Sequence, residues 1–121
     1  MYTYKAKLIR VIDGDTVSAM IDLGFNTWTD RTIRFYGIDA YESRTTDLEE
    51  KAKGILAKER VIELLNSVNG EFILKSEGLD KYGRSLGVIL IKEGDKELNI
   101  NQTLLTEGHA VEYYGGTRWE I

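Results

Sequence analysis

Residues Thr46–Gly70 read TDLEEKAKGILAKERVIELLNSVNG, and they form the one long helical pattern in the chain. Apolar residues recur at Leu48, Ala52, Ile55, Leu56, Ile62 and Leu65, a spacing that returns to one side of a helix. Thr46-x-x-Glu49 has the form of a capping box. Asp47–Lys51 and Glu49–Lys53 are favourable i,i+4 pairs. The helix is predicted from about Asp47 to Ser67, with Gly54 a weak spot inside it and Asn69-Gly70 ending it. Upstream, Met1–Ile12, Thr16–Leu23 and Thr29–Ile38 read as strands separated by Asp13-Gly14 and Gly24-Phe25-Asn26 turns. Downstream, Glu71–Glu77 and Ser85–Ile91 read as two more, with Glu93-Gly94-Asp95 turning the chain after them. Asn99, with Gln102 three residues on, opens a short second helix ending near Gly108. The order β-β-β-α-β-β-α defines an α+β, mainly β protein: a five-stranded, OB-fold-like barrel with two helices.

The 121 residues make one domain, spanning 1–121, with no repeat, linker or proline. There is no cysteine, which excludes disulfides, thiol catalysis and thiolate metal sites. The single histidine, His109, removes zinc sites built on several imidazoles and reads as structural or exposed. No apolar run is long enough to span a membrane, and the N-terminus lacks a signal peptide. As written, the chain is therefore expected to be cytoplasmic, with a processed secreted form as the alternative. Net charge is −4, with 16 basic and 20 acidic residues. Residues 1–92 are balanced, and the acidic excess falls entirely after Lys92. The chain is therefore not a globally basic nucleic-acid binder, although a few cations can still be placed at one site.

Three segments concentrate chemistry: Asp13-Gly14-Asp15-Thr16, Ile33-Arg34-Phe35-Tyr36-Gly37-Ile38-Asp39-Ala40-Tyr41-Glu42, and Asp80-Lys81-Tyr82-Gly83-Arg84. Each alone passes for a turn, a solubilising loop or a hairpin end. Together they hold carboxylates on two turns and two arginines. Hard cations such as Ca²⁺ take oxygen ligands, and guanidinium forks match phosphate oxygens. A site holding both suits phosphoryl chemistry.

These three motifs, in this order and spacing, resemble the staphylococcal (micrococcal) nuclease family, from about Lys5 to Tyr114. The family fold is a five-stranded OB-like barrel with helices. The resemblance implies a Ca²⁺-dependent endonuclease that hydrolyses DNA and RNA with little sequence preference and leaves 3′-phosphate ends. It implies that Asp15, Asp39 and the backbone carbonyl of Ala40 are metal ligands, and that Glu42 activates or positions the attacking water. Arg34 and Arg84 would bind the scissile phosphate and stabilise its transition-state charge. Lys81 and Tyr82 would contact a neighbouring phosphate, and Tyr114 would lie along the nucleotide.

The chain departs from the family pattern in three places. Tyr41 precedes Glu42 where the family usually has proline, which loosens the loop carrying Glu42. The sequence ends at Ile121, so the third helix of the family is expected to be absent or shortened. Gly37 interrupts the third strand, and strict alternation would put Arg34 and Asp39 on opposite faces. A bulge or bend at Gly37 would bring them to one site.

Other residue types have plainer readings. Trp28 and Trp119 suit loop packing or an oligomer contact. Tyr2, Tyr4 and Tyr36 suit the barrel, and only one of Tyr113 and Tyr114 can face the site. Asp13 would cap its own turn. The competing functional class is a non-catalytic nuclease-like module that binds nucleic acid or protein. Retention of Asp15, Arg34, Asp39, Glu42 and Arg84 together favours the enzyme. A simple Ca²⁺-binding protein is disfavoured by two arginines beside the carboxylates.

Overall fold

Two turns set the first three strands. Strand β1 (Thr3–Asp13) meets β2 (Thr16–Asp22) across the two-residue Gly14-Asp15 loop, and β2 meets β3 (Trp28–Phe35) in antiparallel register from Thr16↔Arg34 to Asp22↔Trp28. The computed structural model describes residues 2–43 and 45–113. A three-residue strand, β4 (Ile38–Ala40), follows β3. Then come helix α1 (Leu48–Asn66), β5 (Glu71–Leu79), β6 (Ser85–Glu93), β7 (Lys96–Asn99), α2 (Ile100–Thr106) and β8 (Ala110–Glu112).

The strand order β3-β2-β1-β5-β6 is antiparallel throughout, and a short parallel pairing of β3 with β6, Ile33↔Ser85 to Phe35↔Gly87, closes it into a five-stranded barrel. The expected OB-like α+β architecture with two helices is what the chain forms. Inward positions alternate along β2 and β3: Val17, Ala19, Ile21, Ile33 and Phe35 are buried. Helix α1 lays Gly54, Ala57, Val61, Leu64 and Leu65 on this core. Val61 and Leu65 are fully enclosed, each contributing about 2 kcal/mol of burial.

The third expected strand is two strands. Pairing stops at Phe35, the chain bends at Tyr36-Gly37, and β4 leaves the barrel to pair with β8. Strands β7 and β8 are too short to carry a period, and neither was expected from the sequence. The cap of α1 is Asp47 rather than Thr46: the Asp47 carboxylate accepts from the Glu49 and Glu50 N–H groups. Leu48, Ile55 and Leu56 lie on the exposed side of α1, because small residues at 54 and 57 let the other face approach the barrel more closely. Asn99 caps α2 through the Gln102 N–H, as its spacing predicted. The third-helix expectation and Trp119 fall on residues outside the described ones. Among the described residues, no helix is long and apolar enough to cross a membrane.

Candidate nucleic-acid processing site

The bend after β3 builds the centre of the site. Gly37 has φ 82°, a left-handed conformation that suits glycine, and it reverses the alternation so that Asp39 returns to the face of Arg34. The bend is held from three sides. Tyr36 N–H donates to the Gly87 carbonyl (2.8 Å), and Tyr113 N–H donates to the Gly37 carbonyl (2.9 Å). Asn101 of α2, itself buried, donates through Nδ2 to the carbonyls of Tyr36 (2.8 Å) and Gly87 (3.1 Å) and accepts from Ile89 N–H (3.1 Å).

Arg34 is fixed by four oxygen contacts. Nη1 donates to the carbonyls of Ile38 (2.9 Å) and Phe35 (3.3 Å) and lies 3.3 Å from Asp15 Oδ2. Nη2 lies 3.4 Å from Asp39 Oδ1. The side chains of Arg34 and Asp15 are only 13% and 12% exposed. Asp15 also accepts from the Thr16 hydroxyl (2.9 Å) and the Ala40 N–H (2.9 Å), which ties the β1–β2 turn to β4. The two carboxylates expected at a metal, Asp15 and Asp39, therefore converge on one guanidinium, with the Ala40 backbone beside them.

Arg84 approaches from the β5–β6 turn. Asp80 organises that turn: Oδ1 accepts from the Tyr82 N–H (2.9 Å) and the Arg84 N–H (2.8 Å), and Oδ2 accepts from Arg84 Nε (2.7 Å). Burial by itself would raise the Asp80 carboxyl. The backbone N–H groups of Arg84 and Tyr82 and the Arg84 guanidinium outweigh it, holding the group below its ordinary value. Lys81 and Arg84 both sit over the Tyr82 ring, at 5.3 and 5.6 Å from its centroid.

Arg34, Arg84, Lys81 and Tyr82 line one open cavity of about 320 Å³, together with Tyr36, Asp80 and Tyr113. Tyr114 is outside the described residues; its neighbour Tyr113 lines the cavity wall. Tyr36, expected in the barrel, is a third exposed and sits at the same wall. Glu42 is exposed, does not line that cavity, and has no hydrogen-bond partner among the described residues. Its neighbour Ser43 is buried and donates to Asp13 Oδ1 (2.8 Å). Asp13 was expected to cap its own turn and does so through the Gly14 N–H (3.3 Å), while also holding this second chain segment.

The donor set fits a hard divalent cation in chemistry and is sparse in number. Among the described residues no three His, Cys, Asp or Glu side chains cluster as a metal cage. Two carboxylates and one carbonyl fall short of the six to eight oxygens Ca²⁺ takes, leaving positions for water and a phosphate. The cavity wall carries three cations (Arg34, Lys81, Arg84) and one acid (Asp80), and Asp15 and Asp39 behind Arg34 offset part of that positive charge.

Ser43, Gly54 and Asn101 contribute to this geometry and were not expected from the sequence. Only Gly54 left a sequence signal, as a glycine inside a strong helix, which usually has a packing reason.

A barrel whose rim gathers guanidinium groups, carboxylates and a tyrosine-lined cavity is of a class suited to phosphodiester ligands. The family model described as staphylococcal nuclease homologue matches residues 32–119, and the chain belongs to that family. Its fold is accordingly nuclease-like, and the family generally consists of nucleases that act on nucleic acids and typically depend on Ca²⁺. No match is found among curated proteins. The matched span contains Arg34, Asp39, Glu42 and Arg84 and begins after Asp15, so Asp15 joins the site through its contacts with Arg34 and Ala40.

Proposed function

We propose that the chain is a Ca²⁺-dependent endonuclease that hydrolyses phosphodiester bonds of DNA and RNA with little sequence preference, leaving 3′-phosphate ends. The observation that carries the reading is the shared cavity: Arg34, with Asp15 and Asp39 behind it, faces the same space as Arg84, Lys81 and Tyr82. Asp15, Asp39 and the Ala40 carbonyl would hold the cation, which when bound supplies positive charge next to the scissile phosphate and a site for water. Arg34 and Arg84 orient the phosphate by hydrogen bonds to its non-bridging oxygens. Glu42 takes a proton as the water oxygen bonds to phosphorus and the bond to the 5′ oxygen breaks; that oxygen acquires a proton from solvent. Charge grows on the phosphoryl oxygens in the transition state, where fixed guanidinium groups stabilise it more than the ground state. Lys81 and Tyr82 contact an adjacent phosphate, and the aromatic side chains of the wall offer surfaces for a base.

Arg84 is the cleaner of the two arginines to remove. Arg34 is nearly enclosed with two carboxylates, so its loss would leave uncompensated charge at a cost of about 3–5 kcal/mol in folding. Arg84→Ala should lower cleavage about 10²–10³-fold, roughly 3–4 kcal/mol of barrier, by comparison with losing one oxyanion donor. The test is digestion of single-stranded and duplex DNA with Ca²⁺, Mg²⁺ or EDTA, beside Glu42→Gln and Arg84→Ala. Cleavage that requires Ca²⁺ and drops in both variants supports the reading. One observation favours a second reading, a non-catalytic nucleic-acid- or protein-binding module: the Glu42 carboxylate lies outside the cavity that holds the arginines. A folded wild type that cleaves nothing with any metal selects that module.

A further inference from the structure

The Glu42 carboxylate is open to solvent, yet the backbone on either side of it is clamped. Ser43 is 8% exposed and donates its hydroxyl to Asp13 Oδ1 at 2.8 Å, a contact across thirty positions of sequence. Asp13 is itself 9% exposed, and it ends β1 two residues before Asp15. On the other side, α1 presses its backbone against Glu42 and Ser43. A Cβ placed on Gly54 would lie 2.3 Å from both the carbonyl carbon and the oxygen of Glu42, and 2.5 Å from the Ser43 nitrogen. Lys53 adds its ammonium 5.2 Å from the centroid of the Tyr41 ring. The peptide at 42–43 is thus wedged between the β1–β2 hairpin and α1. A residue that merely solubilises a loop needs no such seat.

We propose that Ser43 is a positioning residue: anchored by Asp13 and backed by Gly54, it aims the Glu42 carboxylate at the attacking water. This rests on the nuclease reading, in which Glu42 takes the water proton. A buried hydroxyl-to-carboxylate bond is directional, and a displacement of about 1 Å at a proton acceptor can reduce turnover about a hundredfold. The arginines reach the cavity from other elements, so substrate binding is separate from the latch.

The experiment compares wild type, Ser43→Ala, Ser43→Thr, Asp13→Asn, Glu42→Gln and the Ser43→Ala/Glu42→Gln double variant. Each is measured for kcat and KM on single-stranded DNA with Ca²⁺, and for amide hydrogen exchange at Tyr41–Ser43. Ser43→Ala is expected to lower kcat about ten- to a hundredfold with KM nearly unchanged, and to speed exchange at these amides. Ser43→Thr keeps the hydroxyl and Asp13→Asn keeps an acceptor oxygen, so both retain most of the activity. In the Glu42→Gln background, Ser43→Ala causes no further loss of kcat, because its effect passes through Glu42. An equal loss in both backgrounds overturns the proposal, as does a Ser43→Ala variant with normal kcat, whatever its exchange. If wild type does not cleave, the nuclease reading fails, and exchange alone judges the latch: faster exchange in Ser43→Ala supports a clamped loop, unchanged exchange refutes it.

Discussion

Replacing Gly54 by alanine sets two effects against each other in one methyl group. In an exposed helix interior this change stabilises by about 1 kcal/mol, because glycine is a poor helix former. At Gly54 the new Cβ would sit 2.3 Å from the Glu42 carbonyl group and 2.5 Å from the Ser43 nitrogen. These are backbone atoms and cannot rotate away as a side-chain tip would. Restoring ordinary contact distances requires the loop or the helix to move by more than about 1 Å, and such overpacking costs about 1–3 kcal/mol. The net expectation is a loss of up to about 2 kcal/mol, or a fall in Tm of roughly 4 °C per kcal/mol for a chain of this size. The functional effect should be larger than the thermal one. The displaced peptide is the one that carries Glu42, so kcat should drop about a hundredfold while KM, set by the arginines, changes little. Thermal unfolding and steady-state cleavage measure both. A Gly54→Ala protein with a raised Tm and full kcat would refute the reasoning, since it would mean that the close approach of α1 to the Glu42 loop imposes no constraint.

Three further expectations follow from the contacts. Asp80 is held below its ordinary carboxyl value, so the stability its bonds to Arg84 and Tyr82 confer is complete above about pH 4 and is lost as pH falls through its lower folded value. The Tm difference between wild type and Asp80→Asn should therefore be flat from about pH 5 to 8 and shrink below about pH 4; a difference that grows on acidification would contradict the sign. Asn101→Ala removes the partner of the Ile89 N–H and of the Tyr36 and Gly87 carbonyls, and chemical denaturation should report a loss of about 2–4 kcal/mol. Cleavage should fall beyond the stability effect, because the bend between Arg34 and Asp39 loses its brace. With three cations at the cavity (Arg34, Lys81, Arg84) proposed to meet phosphates and balanced charge over residues 1–92, binding to single strands should show a shallow log–log salt slope of roughly −2 to −3. A slope several units steeper would mean many more phosphate contacts than this site offers.

The sequence by itself determined the elements with strong local signals. The bounds of helix α1 were legible to within a residue because its acidic start (Asp47, Glu49, Glu50) and its Asn69-Gly70 stop act locally. Its buried face was not: Gly54, Ala57, Val61, Leu64 and Leu65 face the core, and of the apolar residues named from the period only Leu65 is among them. The barrel class was legible because strand order is a property of the chain. The three motifs were legible as candidate segments, and the need for a bend at Gly37 followed from the period of two along a strand. What only the tertiary structure decided was contact between segments distant in sequence. The parallel β3–β6 closure, the β4–β8 pair and the fork of Arg34 between Asp15 and Asp39 depend on register and packing, which carry no local pattern. The same holds for the seat of the Glu42 loop. Ser43, Asp13 and Gly54 are ordinary residues at thirty- and eleven-residue separations, and they acquire a role only because a glycine without a Cβ lets a helix come within touching distance of a peptide that the first hairpin grips from the other side.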